Sequence, residues 1–66
     1  MESLAERIRE RRRSLNLNQL ELAQLSGTSE RFIRELEHGK TSVRLDKLLA
    51  VLTTLGLELT TVARGQ

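Results

Sequence analysis

Residues 18–40 decide the fold, and they read NQLELAQLSGTSERFIRELEHGK. Asn18 is a favourable first cap for a helix and Glu21 stands three residues later, so a helix is predicted to begin here. Gly27 suits the positive φ angle of a tight turn and ends that helix. A further helix follows the turn and ends before Gly39, which is placed to terminate it. The stretch therefore predicts two short helices joined by a glycine-containing turn.

Helices are also predicted on both sides of this stretch. Ser3 and Glu6 have the spacing of a capping box, which begins a first helix. A fourth helix is predicted from about Arg44 to Leu55, because leucines recur there at helical spacing. Those leucines are Leu45, Leu48, Leu49, Leu52 and Leu55. The chain is thus expected to form one all-α, compact four-helix domain over residues 1–66, with a short β-strand after the last helix.

The strand is expected in residues 57–63. Leu57 and Leu59 alternate there with polar residues, and threonine and valine follow, which is typical of a β-strand. A single strand leaves its backbone groups unpaired, and the chain offers no second strand. Pairing with a second copy of the chain is the interpretation we favour, and a frayed tail is the alternative. The fourth helix and this tail are together expected to form the dimer interface, with Leu52, Leu55, Leu57, Leu59 and Thr61 as its residues.

The second helix of the central stretch has two unlike faces. At about 100° per residue, its apolar side chains gather on one side and must pack inward. They are Phe32, Ile33 and Leu36, and the opposite side carries Glu30, Arg31, Arg34 and Glu35. In a helix-turn-helix the second helix enters the major groove of DNA, where arginine can read guanine and glutamate can accept from cytosine. A solvated amphipathic helix has the same pattern, so the two faces alone leave both interpretations open.

Positive charge is concentrated near the N-terminus. The chain has 66 residues and a formal net charge of +2, and five of its nine arginines lie between Arg7 and Arg13. Such clustering favours a surface that binds phosphate. A helix face rich in solvated charge is the alternative.

Composition disfavours several other classes of function. The chain has no cysteine, which excludes disulfides and thiolate metal sites, and His38 is its only histidine. Zinc sites need several ligands, so no metal or other cofactor is expected. No paired carboxylates or Ser/His/Asp set is evident, and the chain is not expected to be an enzyme. Without a long apolar run or a secretory signal, it is expected in the cytoplasm and not in a membrane.

From Asn18 onward the chain resembles the Cro/phage-repressor (XRE) family of helix-turn-helix proteins. The residues that match the family pattern, without a gap, are Gln19, Leu22, Ala23, Gly27, Ile33, Glu37 and Gly39. The likeness extends from about Leu4 to Leu57. It implies a lambda-repressor-like fold and sequence-specific binding of double-stranded DNA.

The resemblance also implies roles for individual residues. The positions that read bases in the family are Glu30, Arg31 and Glu35 here. Arg34 lies on the same face of the helix and is added to them. Contacts with the DNA backbone are implied for Asn18, Gln19, Ser29, Lys40, Thr41 and Ser42. Arg12 and Glu37 match a structural ion pair that joins the first helix to the third.

Within this family, residues 42–52 and 55–59 resemble the HipB-type antitoxins. The resemblance implies a homodimer that binds a palindromic operator, represses its own operon and neutralises a HipA-type kinase toxin. Such a protein is the antitoxin of a type II toxin-antitoxin module. Two alternatives remain: a stand-alone phage-type repressor without a toxin partner, and a protein-interaction module that has lost DNA binding.

Overall fold

A computed structural model of the chain describes residues 3–60 and contains four α-helices there. The helices are α1 at Leu4–Ser14, α2 at Gln19–Ser26, α3 at Glu30–Glu37 and α4 at Leu45–Thr54. The predicted four-helix, all-α architecture is confirmed. The longest helix, α1, has 11 residues and so spans only about 16 Å. Within the described range no helix has both the length and the apolar character needed to cross a membrane.

Reciprocal capping fixes where the first two helices begin. The Ser3 hydroxyl accepts a hydrogen bond from the Glu6 amide at 3.1 Å, and the Glu6 carboxylate accepts one from the Ser3 amide at 2.9 Å. Asn18 and Glu21 make the same pair of bonds, at 2.7 and 2.8 Å. Each box satisfies amides that the first helical turn leaves without partners. Both capping boxes were readable from the sequence, and both are confirmed.

The turn between α2 and α3 depends on the backbone conformation of one residue. Gly27 has φ 70° and ψ 28°, in the left-handed region. The space where a Cβ would stand is open, so the φ angle and not crowding favours glycine here. The Thr28 amide then donates to the Ala23 carbonyl at 2.9 Å and closes α2. Two residues beyond the glycine, the Ser29 hydroxyl accepts from the Phe32 amide at 3.0 Å and begins α3.

A single apolar cluster holds the four helices together. Its buried members are Ile8, Leu22, Ala23, Ile33, Leu36, Leu48, Val51, Leu52 and Leu55. α2 packs against both α3 and α4, and α1 packs against α3. Ile33 and Leu36 carry α3 into this cluster, as the sequence predicts, whereas Phe32 is only half-buried at its edge. The opposite side of α3 is thereby turned outward.

The structure does not support the predicted C-terminal strand. No strand occurs among residues 3–60, and residues 61–63 of the predicted strand, including Thr61, lie outside the described residues. The Leu57 amide instead donates to the Leu52 carbonyl at 2.8 Å, and the Leu57 side chain packs against the core. The start of this segment therefore closes the C-terminal end of α4. The Leu57 amide is already hydrogen-bonded there and is not available to pair with another strand.

The dimer interface predicted from the leucines also needs correction. Leu52 is 2% exposed and Leu55 is 1% exposed, and both belong to the core of the single chain. The helical spacing of these two leucines correctly indicates that they are buried. It does not say whether they pack within their own chain or against a second subunit. Of the predicted interface residues that lie within the described range, only Leu59, which is 50% exposed, is open to a second subunit, since Leu57 is half-buried.

Candidate nucleic-acid interface

The outward side of α3 is a surface of charged side chains. Glu30, Arg31 and Arg34 are exposed, and the Arg31 side chain is 82% accessible. Glu35 lies on the same side and is partly covered, with 34% of its side chain accessible. The structure thus brings the four residues predicted to read bases onto one side of α3. We call these four residues the reading face.

Glu35 is paired with two cations. Its carboxylate accepts from the Lys40 ammonium and from the Arg31 guanidinium, both at 3.3 Å. The Lys40 amide also donates to the Glu35 carbonyl at 3.1 Å, so the loop after α3 folds back against the helix. The hydrogen bond from Lys40, assisted by Arg31, lowers the pKa of Glu35 below its usual value. Glu35 is therefore ionised at neutral pH and holds Lys40 beside the reading face.

A buried ion pair fixes the far end of α3. The Glu37 carboxylate accepts from Arg12 through Nε at 2.6 Å and through Nη2 at 3.0 Å. Gln19 adds a third hydrogen bond at 3.2 Å from its side-chain amide. Arg12 is 8% exposed and Glu37 is 4% exposed, yet within residues 3–60 no buried polar side-chain atom lacks a partner. α1, α2 and α3 are therefore joined at one point, and Gln19 braces α3 from the start of α2.

The arginine cluster of α1 is less available for phosphate than its charge indicates. Arg12 is buried in the ion pair just described, and the Arg11 Nε donates to the Leu55 carbonyl at 2.8 Å. Arg9 donates to the Glu37 carbonyl at 3.4 Å. These arginines bind the ends of α3 and α4, where backbone carbonyls have no partner within the helix. Only Arg12 is buried and so closed to phosphate, as its predicted structural role requires, whereas Arg9 and Arg11 each use one donor within the fold and remain at least partly accessible.

Sequence reasoning missed the structural roles of Arg9 and Arg11. The sequence does contain a signal that Arg12 is buried. Ile8 and Arg12 are four residues apart and share the buried side of α1. No comparable pattern marks Arg9 or Arg11, since their acceptors are backbone carbonyls 28 and 44 residues away. Only the packing of the helices brings those acceptors within reach.

The residues predicted to touch the DNA backbone differ in what else they do. Asn18 and Ser29 already use their side-chain oxygens as helix caps, and both remain exposed. Lys40 reaches the reading face through Glu35. Thr41 and Ser42 are exposed and make no side-chain hydrogen bond within residues 3–60. The structure therefore gathers Lys40 with α3 and leaves the next two loop residues open to solvent.

Metal-binding clusters are not seen in this part of the chain. Across residues 3–60 no group of three or more His, Cys, Asp or Glu side chains could hold a metal ion. The His38 Nδ1 lies 2.7 Å from the Arg34 carbonyl, so that ring contacts the C-terminal end of α3. The chemistry that the surface offers is hydrogen bonding and charge.

Comparisons with known proteins agree with this geometry. The helix-turn-helix family HTH_3 matches residues 8–62. The chain is 44% identical over 55 residues to an uncharacterized HTH-type transcriptional regulator, y4mF, of Sinorhizobium fredii, across 83% of this chain and 72% of that protein. It is also similar to the P22 c2 repressor protein, whose crystal structure is a complex with synthetic operator 9T in the presence of Tl+. That similarity has a TM-score of 0.79 and 31% identity, and it covers 88% of both chains.

Proposed function

The chain belongs to the XRE-type helix-turn-helix family, and from this membership we propose that it is a transcriptional repressor that binds double-stranded DNA sequence-specifically. The observation that carries the proposal is the outward reading face of α3. Ile33 and Leu36 bury one side of that helix, the Arg12–Glu37 pair fixes its end, and Arg31 and Arg34 point away from the core. A helix held in this way can enter the major groove without disturbing the fold.

The reading face has the chemistry to distinguish base pairs. Arginine can donate two hydrogen bonds to guanine, and glutamate can accept from the amino group of cytosine. Four residues of mixed charge favour sequence readout over simple attraction to phosphate. The proposal is tested by selecting duplexes from a random pool with the full chain and measuring affinity against salt. Specific binding that weakens steeply with salt supports it, and equal binding to every duplex contradicts it.

Mutations should distinguish a side chain that contacts bases from one that contacts phosphate. Arg31→Ala should weaken binding to the selected duplex by about 1–3 kcal/mol and relax the base preference at one position, because it removes a base contact. Lys40→Ala should weaken binding to all duplexes alike and flatten the plot of log K against log [salt] by about 1, because it removes a phosphate contact. Gel shifts on the selected and a scrambled duplex measure both. If the two variants lost affinity in the same pattern, the assignment of base and phosphate contacts would be wrong.

Ser29 allows stability and binding to be varied independently. Ser29→Ala should cost about 1 kcal/mol of folding free energy, because the Phe32 amide loses its acceptor. Ser29→Asp keeps an equally good cap, so stability should stay near that of the original chain, but it brings a negative charge toward phosphate. We therefore expect Ser29→Asp to melt normally and bind DNA more weakly. Normal binding by the aspartate variant would place Ser29 away from the DNA backbone.

The proposed repressor acts as a homodimer on a palindromic operator. Two copies of α3 would then lie in successive major grooves, about 34–36 Å apart. Leu59 is the exposed apolar residue after α4 that supports a contact between copies. Sedimentation of the full chain and a footprint on the selected duplex test this. Two protected half-sites one helical turn apart are expected, and a monomer that protects one unpaired half-site would contradict the dimer.

The finer form of the proposal is an antitoxin that also neutralises a HipA-type kinase in the cytoplasm. It is supported by the resemblance of residues 42–52 and 55–59 to the HipB-type antitoxins. The test is co-expression with a kinase-like protein encoded beside this gene. Restored growth and a stable complex support the antitoxin role. Persistent toxicity despite binding to the operator would favour the stand-alone repressor, and absence of DNA binding would favour the interaction module.

A further inference from the structure

The contacts of Glu35 do not fit a residue whose only task is to read a base. Its two carboxylate oxygens are engaged by Lys40 and by Arg31, at 3.3 Å each. Arg31 belongs to the reading face, and Lys40 begins the loop predicted to meet phosphate. One carboxylate is therefore shared between a cation proposed to read bases and a cation proposed to contact phosphate.

From this arrangement we infer that Glu35 sets the discrimination between operator and other DNA, by holding Arg31 and Lys40 in ion pairs that any duplex must break. The inference rests on the proposed function and assigns a specificity role within it. Both pairs are accessible to solvent, with 82% of the Arg31 side chain and 48% of the Lys40 side chain exposed. Exposed pairs are weak, so DNA can break them readily.

What differs between duplexes is the fate of the carboxylate. When Arg31 and Lys40 turn to DNA, Glu35 is left as an unpaired negative charge among phosphates. On an operator that offers a cytosine amino group at this place, Glu35 gains a donor. On other sequences Glu35 gains no donor and takes up a cation from solution. This uptake offsets one of the counterions that the DNA releases when the protein binds. Glu35 thus penalises binding to DNA that lacks the matching base.

Glu30→Gln is a matched control for Glu35→Gln. Both changes remove one carboxylate from the same side of α3. Glu30 is exposed and makes no ion pair within residues 3–60. Any effect of lost charge alone is shared by the two variants, and any effect of released cations belongs to Glu35→Gln. Both sites are on the surface, and thermal unfolding of each variant confirms that the fold is retained.

The experiment measures binding of the full chain and both variants to two probes over a salt series. The probes are the duplex that the original chain selects from a random pool and a scrambled duplex of equal length. Glu35→Gln should bind the scrambled duplex about 5- to 10-fold more tightly, with a salt slope steeper by about 1. Affinity for the selected duplex should rise less or fall, so the ratio of the two affinities drops. Glu30→Gln removes the same charge without releasing a cation, so it should change the affinity for the scrambled duplex and the salt slope less than Glu35→Gln does.

Two results would overturn the inference while leaving the proposed function intact. In one, Glu35→Gln binds the scrambled duplex no better than Glu30→Gln does and shows the same salt slope. In the other, Glu35→Gln loses only operator affinity, as a residue that solely reads a base would. Failure of the original chain to prefer any duplex would be a different outcome, because it overturns the proposed function as well.

Discussion

Replacing Glu37 with alanine should destabilise the protein by about 3–5 kcal/mol, because it leaves the Arg12 guanidinium buried without its partner. Domains have about 0.05–0.15 kcal/mol of stability per residue, so a chain of this size has only about 3–10 kcal/mol in total. We therefore expect Glu37→Ala to be largely unfolded or to melt at a much lower temperature. Urea titration and thermal unfolding followed by circular dichroism measure the loss.

The control for this prediction is a variant without either charge. Arg12→Met combined with Glu37→Leu replaces the pair by apolar side chains of similar length, and such replacements in other proteins are often neutral or stabilising. The double variant should be more stable than Glu37→Ala, even though Gln19 and the Leu17 carbonyl each lose a partner. If the double variant were the less stable of the two, the penalty would come from lost hydrogen bonds and not from an unpaired buried charge.

Ile33→Ala should cost about 2–5 kcal/mol, since it removes a fully buried side chain and leaves a cavity between α3 and the core. In a domain of this size each kcal/mol lowers the Tm by about 4–8 °C. Because Ile33 also seats α3, DNA binding should fall together with stability and recover on cooling. Parallel melting curves and gel shifts at several temperatures check both effects.

Two substitutions bracket the Ile33 prediction. Ile33→Val removes one methylene and should cost about 0.5–1.5 kcal/mol. Leu25→Ala removes a large apolar side chain that is 64% exposed on α2, and should change stability by no more than about 0.5 kcal/mol. Equal destabilisation by Leu25→Ala and Ile33→Ala would show that burial of Ile33 against the core adds no more stability than an exposed leucine does.

Local signals in the sequence predicted the four helices and their ends accurately, but not the strand expected after α4. Capping at Ser3 and Asn18 and the turn at Gly27 depend on contacts within a few residues, and each such contact has a sequence signature. The inward and outward sides of α3 follow from helical spacing in the same way. Elements defined by near neighbours could therefore be predicted, and so could the set of α3 residues that face outward.

Apart from the Arg12–Glu37 pair, which the family resemblance implied, features that depend on distant partners could not be predicted from the sequence. Helical spacing marks Leu52 and Leu55 as apolar, but it cannot say whether they face their own core or a second subunit. The alternation in residues 57–60 is typical of a strand, yet the Leu57 amide is drawn back to α4. Arg11 looked like part of a phosphate-binding cluster because the carbonyl that it binds is far away in sequence. In each case tertiary packing overrides a local pattern.

The ion pair at Arg12 and Glu37 has a consequence for how such a protein can evolve. The groups that orient α3 lie beneath it, whereas Glu30, Arg31 and Arg34 contribute nothing to the core. Exposed positions of this kind usually tolerate substitution within about 0.5 kcal/mol. Descendants of this gene could therefore acquire new target sequences by exchanging surface side chains, with the scaffold and its folding left unchanged.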